Sequence, residues 1–169
     1  MWDAVPRYLV PFRLTERPHF FTDVLVIGGG LAGLRAANAV DHSLQVLVVT
    51  KESADQSSSH YAQGGIAGVL DPEDRFENHE EDTLRAGVGL CHRDVVEMVV
   101  REAPRRIEEL VAWGTRFDRE NGHLELGREG GHSHHRIVHA LGDATGREVM
   151  RAVIERTRQQ ENVTIWENT

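Results

Sequence analysis

A short apolar run that ends in three spaced glycines limits the fold of this chain more than any other feature. The run is Val24-Leu-Val-Ile27; Gly28-x-Gly30-x-x-Gly33 follows it directly, and an alanine-rich segment comes next. Such an uninterrupted apolar run is typical of a buried parallel strand. The glycines allow a tight turn, a close approach of backbone to a pyrophosphate, and close packing of a helix on the strand. The stretch therefore predicts a dinucleotide-binding unit; the alternative is a connection that only makes a tight turn.

The composition narrows the class of protein. The 169 residues, 40% of them hydrophobic, suffice for one domain with its own core. A net charge of −8 disfavours general nucleic-acid binding, which needs clustered Lys and Arg. The single cysteine, Cys91, excludes an internal disulfide and fits a reducing compartment. No apolar run approaches the ~20 residues of a membrane span, and the N-terminus lacks the pattern of a secretion signal. The expected location is the cytoplasm, with no membrane or nucleic-acid partner.

The second strand of the predicted unit ends without the residue that usually binds a ribose. The unit is expected as two strands and a helix, at residues 23–27, 44–50 and 31–40. In dinucleotide-binding folds an Asp or Glu about 20 residues after the glycines binds the ribose hydroxyls. Thr50 stands there, followed by Lys51 and Glu52. Either Glu52 reaches across, or Lys51 and hydroxyl groups hold the ribose. This departure counts against an ordinary NAD-dependent dehydrogenase.

A hydroxyl-rich segment follows, Ser53-Ala-Asp-Gln-Ser57-Ser-Ser-His-Tyr-Ala-Gln-Gly-Gly-Ile-Ala67. Its serines and glycines predict a loop that leads into an apolar segment ending near Leu70. One interpretation is a flexible serine linker. The favoured one is a loop whose hydroxyls and backbone N–H groups lie against the phosphates or the ring of a cofactor.

The rest of the chain predicts three helices and one strand. We expect them at residues 79–90, 94–113, 143–160 and 162–166. Pro104 cannot donate a backbone hydrogen bond, so it should kink the second helix or divide it in two. Thr145 and Glu148 have the spacing of a capping box at the start of the third.

A histidine-rich stretch, Gly127-Arg-Glu-Gly-Gly-His132-Ser-His134-His135-Arg136, is the second candidate site. A metal site is disfavoured because the usual zinc spacings and a thiolate partner are absent. The alternatives are a polar surface loop and a site loop that meets a small charged substrate, of which we favour the second. If the segment is helical, His135 and His139 share one face.

Taken together, these motifs resemble the N-terminal part of the L-aspartate oxidases, within the fumarate reductase/succinate dehydrogenase flavoprotein family. Three blocks carry the resemblance, and Glu81-Asp-Thr-Leu84 adds a weaker match. The blocks are Val26-Ile-Gly-Gly-Gly-Leu-Ala-Gly-Leu34, Tyr61-Ala-Gln-Gly-Gly-Ile-Ala67, and Arg128-Glu-Gly-Gly-His-Ser-His134 with Asp143-Ala-Thr-Gly-Arg-Glu148. The likeness covers residues 22–169, and residues 1–21 stand before it as an extension without a readable role.

The resemblance implies an α/β fold, namely the N-terminal part of a Rossmann-like FAD-binding fold with a parallel sheet that is incomplete here. Lys51 takes the place of the ribose-binding acid. Family members that tether the flavin do so through a histidine before the second block, and Ser58 stands at that position, so non-covalent FAD is expected. His60 is near but out of register. The implied FAD contacts are Gly28, Gly29, Gly30, Leu31, Ala32, Gly33, Lys51, Ser58, Ser59, His60, Tyr61, Ala62, Gln63, Gly64 and Gly65.

The implied activity is FAD-dependent oxidation of L-aspartate to iminoaspartate, with oxygen or fumarate as acceptor, in NAD (quinolinate) biosynthesis. Glu129 matches the family glutamate that faces the substrate amino group. No residue of this chain is assigned a catalytic role. Complete members of the family are much longer, and the arginines and histidines that grip the substrate carboxylates are expected after Thr169. We therefore expect this chain alone to be inactive.

Two alternative functions remain open, and two protein partners are suggested. The chain could be a stand-alone, non-catalytic flavin-binding module, or part of a soluble fumarate reductase-type flavoprotein. The suggested partners, besides L-aspartate, are a quinolinate-forming enzyme and a second copy of the chain, which would associate through uncovered sheet edges and helix faces.

Overall fold

The predicted strand, turn and helix unit is present. The structure is a computed structural model and describes residues 18–169. Strand β1 (Val24–Ile27) leads into helix α1 (Leu31–Ala37), and strand β2 (Val46–Val49) lies parallel to β1. Residues 18–23 form no helix or strand, and the rest of the predicted extension, residues 1–17, lies outside the described residues.

The predicted final strand joins the same sheet. Strand β8 (Val163–Trp166) pairs in parallel with β2, so the strand order is β1-β2-β8. Helix α4 (Thr145–Arg158) packs against both α1 and β8. The core lies between these helices and the sheet, and its fully buried members include Leu34, Val48, Met150 and Val153. The expected α/β fold with a parallel sheet is therefore confirmed.

The opposite face of β1 is exposed. Along β1 the side chains alternate between half-buried and exposed, as expected when one face of a strand packs on a core. Leu25 and Ile27 lie on the exposed face, and the Ile27 residue is 83% exposed.

A second, smaller sheet lies on the path between β2 and α4. Strand β3 (Ile66–Ala67) pairs with β7 (Ile137–Val138), and β7 pairs with β6 (Leu126–Gly127), all antiparallel. A hairpin of β4 (Arg119–Glu120) and β5 (His123–Leu124) precedes β6. These two-residue strands hold the two candidate loops close to each other.

The two central helices differ in detail from the sequence predictions. Helix α2 (Phe76–Ala86) begins three residues before the predicted start and ends four before the predicted end. Helix α3 (Arg93–Ala112) continues through Pro104, so the predicted division into two helices is wrong. Buried Val96, Val100 and Ile107 lie on both sides of the proline. Their packing on the core holds the two halves in one helix despite the lost hydrogen bond. Among the described residues, no helix is long and apolar enough to cross a bilayer.

The predicted capping box at the start of α4 is wrong. Ala144 is the residue at the N-cap, and it makes no side-chain cap. The Thr145 hydroxyl accepts a hydrogen bond from the Ala140 N–H instead. The Glu148 carboxylate accepts hydrogen bonds from the Arg116 N–H and from the Arg151 guanidinium. Tertiary partners thus replace the local capping bonds.

Candidate functional site

The glycine turn brings α1 directly onto β1. Gly28 has φ +109°, a left-handed conformation that favours glycine. A Cβ on Gly33 would overlap the carbonyl oxygen of Gly28, so the helix could not lie this close with any larger residue. A Cβ on Gly29 would lie 2.9 Å from the Cβ of Thr50, at the end of β2. One backbone conformation, at Gly28, and two close contacts, at Gly29 and Gly33, therefore require glycine.

Backbone N–H groups of the turn remain open. Gly28 donates its N–H to Val49 O, and Leu31 donates its N–H to the Ser59 hydroxyl at 3.2 Å. Within residues 18–169 the N–H groups of Gly29 and Gly30 donate no hydrogen bond. Half-buried Leu31 and exposed Ala32 open α1 beside them. Such open N–H groups are the donors that bind a pyrophosphate in dinucleotide-binding turns.

Replacing Gly33 by alanine should destabilise the chain. The new Cβ would push α1 away from the Gly28 carbonyl, and overpacking of this kind costs about 2 kcal/mol of the free energy of unfolding. Urea denaturation measures the loss. Gly130→Ala is the matched control, because a Cβ there meets nothing within 4 Å. Equal stability of the two variants would contradict the close packing at Gly33.

The loop at residues 58–65 lies across the glycine turn. Its Ser59 hydroxyl contacts the Leu31 N–H, and its Ala62 carbonyl accepts from the Gly146 N–H at 3.0 Å. A side chain on Gly146 would overlap the Ser59 carbonyl, so the loop packs against the start of α4. The loop is therefore held between the glycine turn and α4, which is not the behaviour of a flexible linker.

The side chains of this loop are partly available for contacts. Ser58, Tyr61, Ala62, Gln63 and Gly64 are exposed. The Tyr61 hydroxyl donates to the Gln56 side chain. Within the described part of the chain, Nδ1 of the half-buried His60 has no hydrogen-bond partner. At the far end, a Cβ on Gly65 would lie 2.9 Å from Nε2 of His139.

Lys51 lies at the same edge of the sheet as the glycine turn. It follows Thr50, whose side chain faces Gly29, and both Lys51 and Glu52 are exposed. The carboxyl edge of a parallel sheet is where α/β folds bind their ligands. Lys51 thus directly follows the residue that faces the glycine turn.

Glu129 lies in the loop between β6 and β7 and has a partner that the sequence did not reveal. Its Oε1 lies 2.8 Å from Nε2 of His139, and its side chain is half exposed. The predicted helical face shared by His135 and His139 is wrong, because β7 occupies residues 137–138. The only local signal for that strand was the β-branched pair Ile137 and Val138, which is too short to show a period.

The base of the Glu129 loop is anchored by a buried ion cluster. Arg136 is fully buried and binds both oxygens of Asp74, with Nε at 2.7 Å and Nη2 at 2.9 Å. Its Nη1 donates to Asp82 at 2.7 Å. The N–H and hydroxyl of Ser133 also donate to Asp82, at 2.7 and 2.6 Å. The cluster therefore ties the loop to α2 and to the turn before it.

The protonation of this cluster follows from its contacts. Burial by itself would raise the pKa of the Asp82 carboxyl, but donors on Ser133 and Arg136 hold that pKa well below its usual range. The same competition between burial and Arg136 lowers the pKa of Asp74. Burial, with the positive charge of Arg136, lowers the pKa of the neighbouring His79. The cluster is a cation between two carboxylates beside a neutral imidazole.

The three histidines of the loop do not converge on a common centre. His134 Nδ1 lies 2.8 Å from the Ser133 hydroxyl, and His135 Nδ1 lies 3.1 Å from the Leu126 carbonyl. His132 Nδ1 lies 3.4 Å from Nη1 of Arg136. Residues 18–169 contain no group of three or more His, Cys, Asp or Glu side chains that could hold a metal ion.

Comparison with known proteins agrees with this geometry. The profile of the FAD binding domain family matches residues 23–169. The chain is 48% identical over 149 residues to an L-aspartate oxidase (2-b, chloroplastic) of Nicotiana tabacum, with 88% of this chain and 23% of that protein covered. It is 50% identical over 135 residues to an L-aspartate oxidase of Mycobacterium bovis, with 78% and 26% covered. The chain thus spans about a quarter of the length of these curated relatives.

Solved structures show the same fold. E. coli quinol fumarate reductase FrdA superposes with a TM-score of 0.83 at 29% identity, covering 88% of this chain and 26% of that one. Mycobacterium smegmatis Sdh1 superposes with a TM-score of 0.77 at 33% identity, covering 87% and 27%. The expected likeness to the fumarate reductase/succinate dehydrogenase flavoproteins is confirmed.

The residues present fit FAD. At the turn the N–H groups of Gly29 and Gly30 have no partner within residues 18–169, the Ser59 hydroxyl contacts the Leu31 N–H, and Thr50, directly before Lys51, faces Gly29. The family match and the similar flavoproteins support FAD as the cofactor. The chain belongs to the FAD binding domain family.

Proposed function

We propose that this chain is the FAD-binding, substrate-facing N-terminal part of an L-aspartate oxidase. One observation carries the proposal for the substrate: the half-exposed Glu129 carboxylate lies next to His139, which contacts the cofactor loop at Gly65. The relatives at 42–50% identity carry the name L-aspartate oxidase. An acidic side chain at this position suits a substrate that carries an ammonium group.

We propose that FAD contacts the glycine turn, Lys51 and the loop at residues 58–65. Open N–H groups at Gly29 and Gly30 support the pyrophosphate site, and the exposed Lys51 supports a ribose contact. The Ser59 contact with Leu31 supports a place for the serine loop against the cofactor. The full proposed set is Gly28, Gly29, Gly30, Leu31, Ala32, Gly33, Lys51, Ser58, Ser59, His60, Tyr61, Ala62, Gln63, Gly64 and Gly65.

In the proposed reaction the cofactor oxidises the substrate, and the chain binds both of them. When bound, FAD supplies the two-electron oxidation of the substrate Cα–N bond. The chain would hold the pyrophosphate on uncharged N–H donors at the glycine turn, and Glu129 would pair its negative charge with the ammonium of L-aspartate. Succinate and fumarate have no ammonium group, so this charge favours the amino acid.

The experiment on the proposed function uses the purified full-length protein that carries this chain. Anaerobic addition of L-aspartate should bleach its flavin absorption, and succinate at the same concentration should not. Acid precipitation should then leave the flavin in the supernatant, because Ser58 stands where tethered relatives have a histidine. Flavin that stays in the pellet would contradict non-covalent binding. Bleaching by succinate but not by L-aspartate would contradict the proposed substrate.

A fumarate reductase-type flavoprotein is the second candidate, and the superposition on E. coli quinol fumarate reductase FrdA favours it. The two candidates differ in the substrate that bleaches the flavin, so the same experiment separates them.

The proposed partners and compartment rest on fewer observations. The exposed face of β1, with Leu25 and Ile27, supports association with another protein surface, which could be a quinolinate-forming enzyme or a second copy. The free thiol of Cys91 supports a reducing compartment, and we propose the cytoplasm. The tobacco relative is named as chloroplastic.

A further inference from the structure

We infer that His139 is a positioning residue that fixes the Glu129 carboxylate in the orientation needed to bind the substrate ammonium. The inference rests on the proposed function, because it concerns the same carboxylate. Nothing in the names or family of the relatives assigns this histidine a role.

The two side chains make a direct contact. Nε2 of His139 lies 2.8 Å from Oε1 of Glu129, which is hydrogen-bond distance. The His139 side chain is 24% exposed, whereas that of Glu129 is 51% exposed. An Nε2–H donor that binds Oε1 leaves the second carboxylate oxygen free to accept from another group. The less exposed partner therefore holds the more exposed one.

The imidazole ring is held between two glycines. A Cβ on Gly65 would lie 2.9 Å from Nε2 of His139, and a Cβ on Gly127 would lie 2.9 Å from its Cε1. Side chains at either position would displace the ring. Gly127 belongs to β6 and Gly65 to the loop proposed to line FAD, so the ring lies between β6 and that loop.

The backbone of His139 is also fixed. Its carbonyl accepts a hydrogen bond from the Asp118 N–H at 2.8 Å. The Asp118 carboxylate in turn accepts from the N–H of Leu141, and Ala140 donates its own N–H to Thr145. These bonds fix the backbone of His139 and of the two residues that follow it.

This arrangement matters because Glu129 lies in a loop with little else to restrain its side chain. A glutamate on its own loses rotamer freedom when it binds a ligand, and that loss weakens binding. A carboxylate that is already oriented by His139 avoids most of the loss. We expect the contact to strengthen binding of L-aspartate about tenfold and to leave succinate unaffected.

The test uses the full-length holoenzyme with three single variants. His139→Phe keeps a ring but removes the donor, and His139→Gln restores an N–H near the place of Nε2. His135→Gln changes an exposed histidine of the same loop and serves as the control. Anaerobic rapid mixing gives the dissociation constant of L-aspartate from the dependence of the rate of flavin bleaching on its concentration, and a flavin absorbance titration gives the dissociation constant of succinate. The flavin content of each variant is measured first, so that a loss of folding or of FAD is recognised.

The positioning role predicts a specific pattern. His139→Phe should weaken L-aspartate about tenfold with succinate unchanged, and His139→Gln should return to within about twofold of the wild type. His135→Gln should match the wild type. In a Glu129→Gln background, His139→Phe should cause no further loss, because the carboxylate that it orients is gone. Equal losses for both ligands, or the same tenfold loss in that background, would overturn the inference.

A spectroscopic measurement separates this inference from the proposed function. The ring ¹⁵N chemical shifts of His139 report whether Nε2 carries a hydrogen-bonded proton, and Glu129→Gln should change them. Unchanged shifts would overturn the contact itself. If the shifts change but the wild-type enzyme binds L-aspartate no better than succinate, the proposed function fails while the contact stands.

Discussion

Replacing Arg136 by methionine should lower the free energy of unfolding of the chain by about 4 kcal/mol. The guanidinium is fully buried and is the cation that both Asp74 and Asp82 share. Methionine fills much of the volume but leaves the two carboxylates buried without a counter-charge. Loss of one member of a buried ion pair is far more damaging than loss of a surface pair, because the remaining charge is not solvated.

Urea denaturation, followed by tryptophan fluorescence, measures this loss. Arg106→Met is the matched control: its contacts with Glu102 and Glu109 are made near the surface, and its loss should stay below about 1 kcal/mol. Adding Asp74→Asn and Asp82→Asn to Arg136→Met should recover part of the stability, since the uncompensated charges disappear. A loss no greater than that of Arg106→Met would show that the cluster does not hold the loop.

The contacts of this ion cluster could not be predicted from the sequence. Arg136 lies 62 residues from Asp74 and 54 from Asp82 along the chain. Periodicity and turn signals report neighbours within a few residues, so they cannot pair charges that the fold brings together over such distances. In the sequence, nothing distinguishes Arg136 from the other basic residues of polar loops.

The glycine turn and the parallel sheet, in contrast, could be predicted from the sequence. The apolar run, the spaced glycines and the alanine-rich segment are local signals, and they predicted β1, α1 and β2 to within a few residues at each end. The last strand was also predicted, because a short β-branched run follows a clear amphipathic helix. A helix or strand can be predicted wherever the local sequence pattern is long and consistent.

The site is divided between these two cases. Gly28–Gly33 and the serine loop are predicted from composition and spacing, and Glu129 from the resemblance to a family. His139 was missed as the partner of Glu129, because the two lie ten positions apart and the chain between them passes through a loop and a two-residue strand. No local period exists over such a path, and the contact appears only when β6 and β7 are paired.

Glu129→Gln should weaken binding of L-aspartate by roughly 100-fold, equivalent to about 3 kcal/mol, and leave succinate nearly unchanged. Glutamine has the size and hydrogen-bonding reach of glutamate but no charge. An ammonium that loses its carboxylate partner keeps the cost of leaving water without the compensating ion pair. Succinate carries no ammonium, so the same substitution removes nothing that it uses.

Two controls make the result specific to the site. Glu108→Gln removes one negative charge from an exposed position on α3 and should leave both dissociation constants unchanged. The flavin content and absorption spectrum of Glu129→Gln should match the wild type, because the carboxylate is not among the proposed FAD contacts. A change in ligand preference is then caused by altered contacts with the substrate and not by altered FAD binding.

The central claim, that the Glu129 carboxylate distinguishes L-aspartate from succinate, is tested most directly by one ratio. For the full-length holoenzyme, wild type and Glu129→Gln, the concentration dependence of the rate of anaerobic flavin bleaching gives the dissociation constant of L-aspartate, and a flavin absorbance titration gives that of succinate. We predict that the ratio of the succinate constant to the L-aspartate constant falls roughly 100-fold in the variant. A ratio that stays the same, with both ligands weakened equally or not at all, would contradict the account.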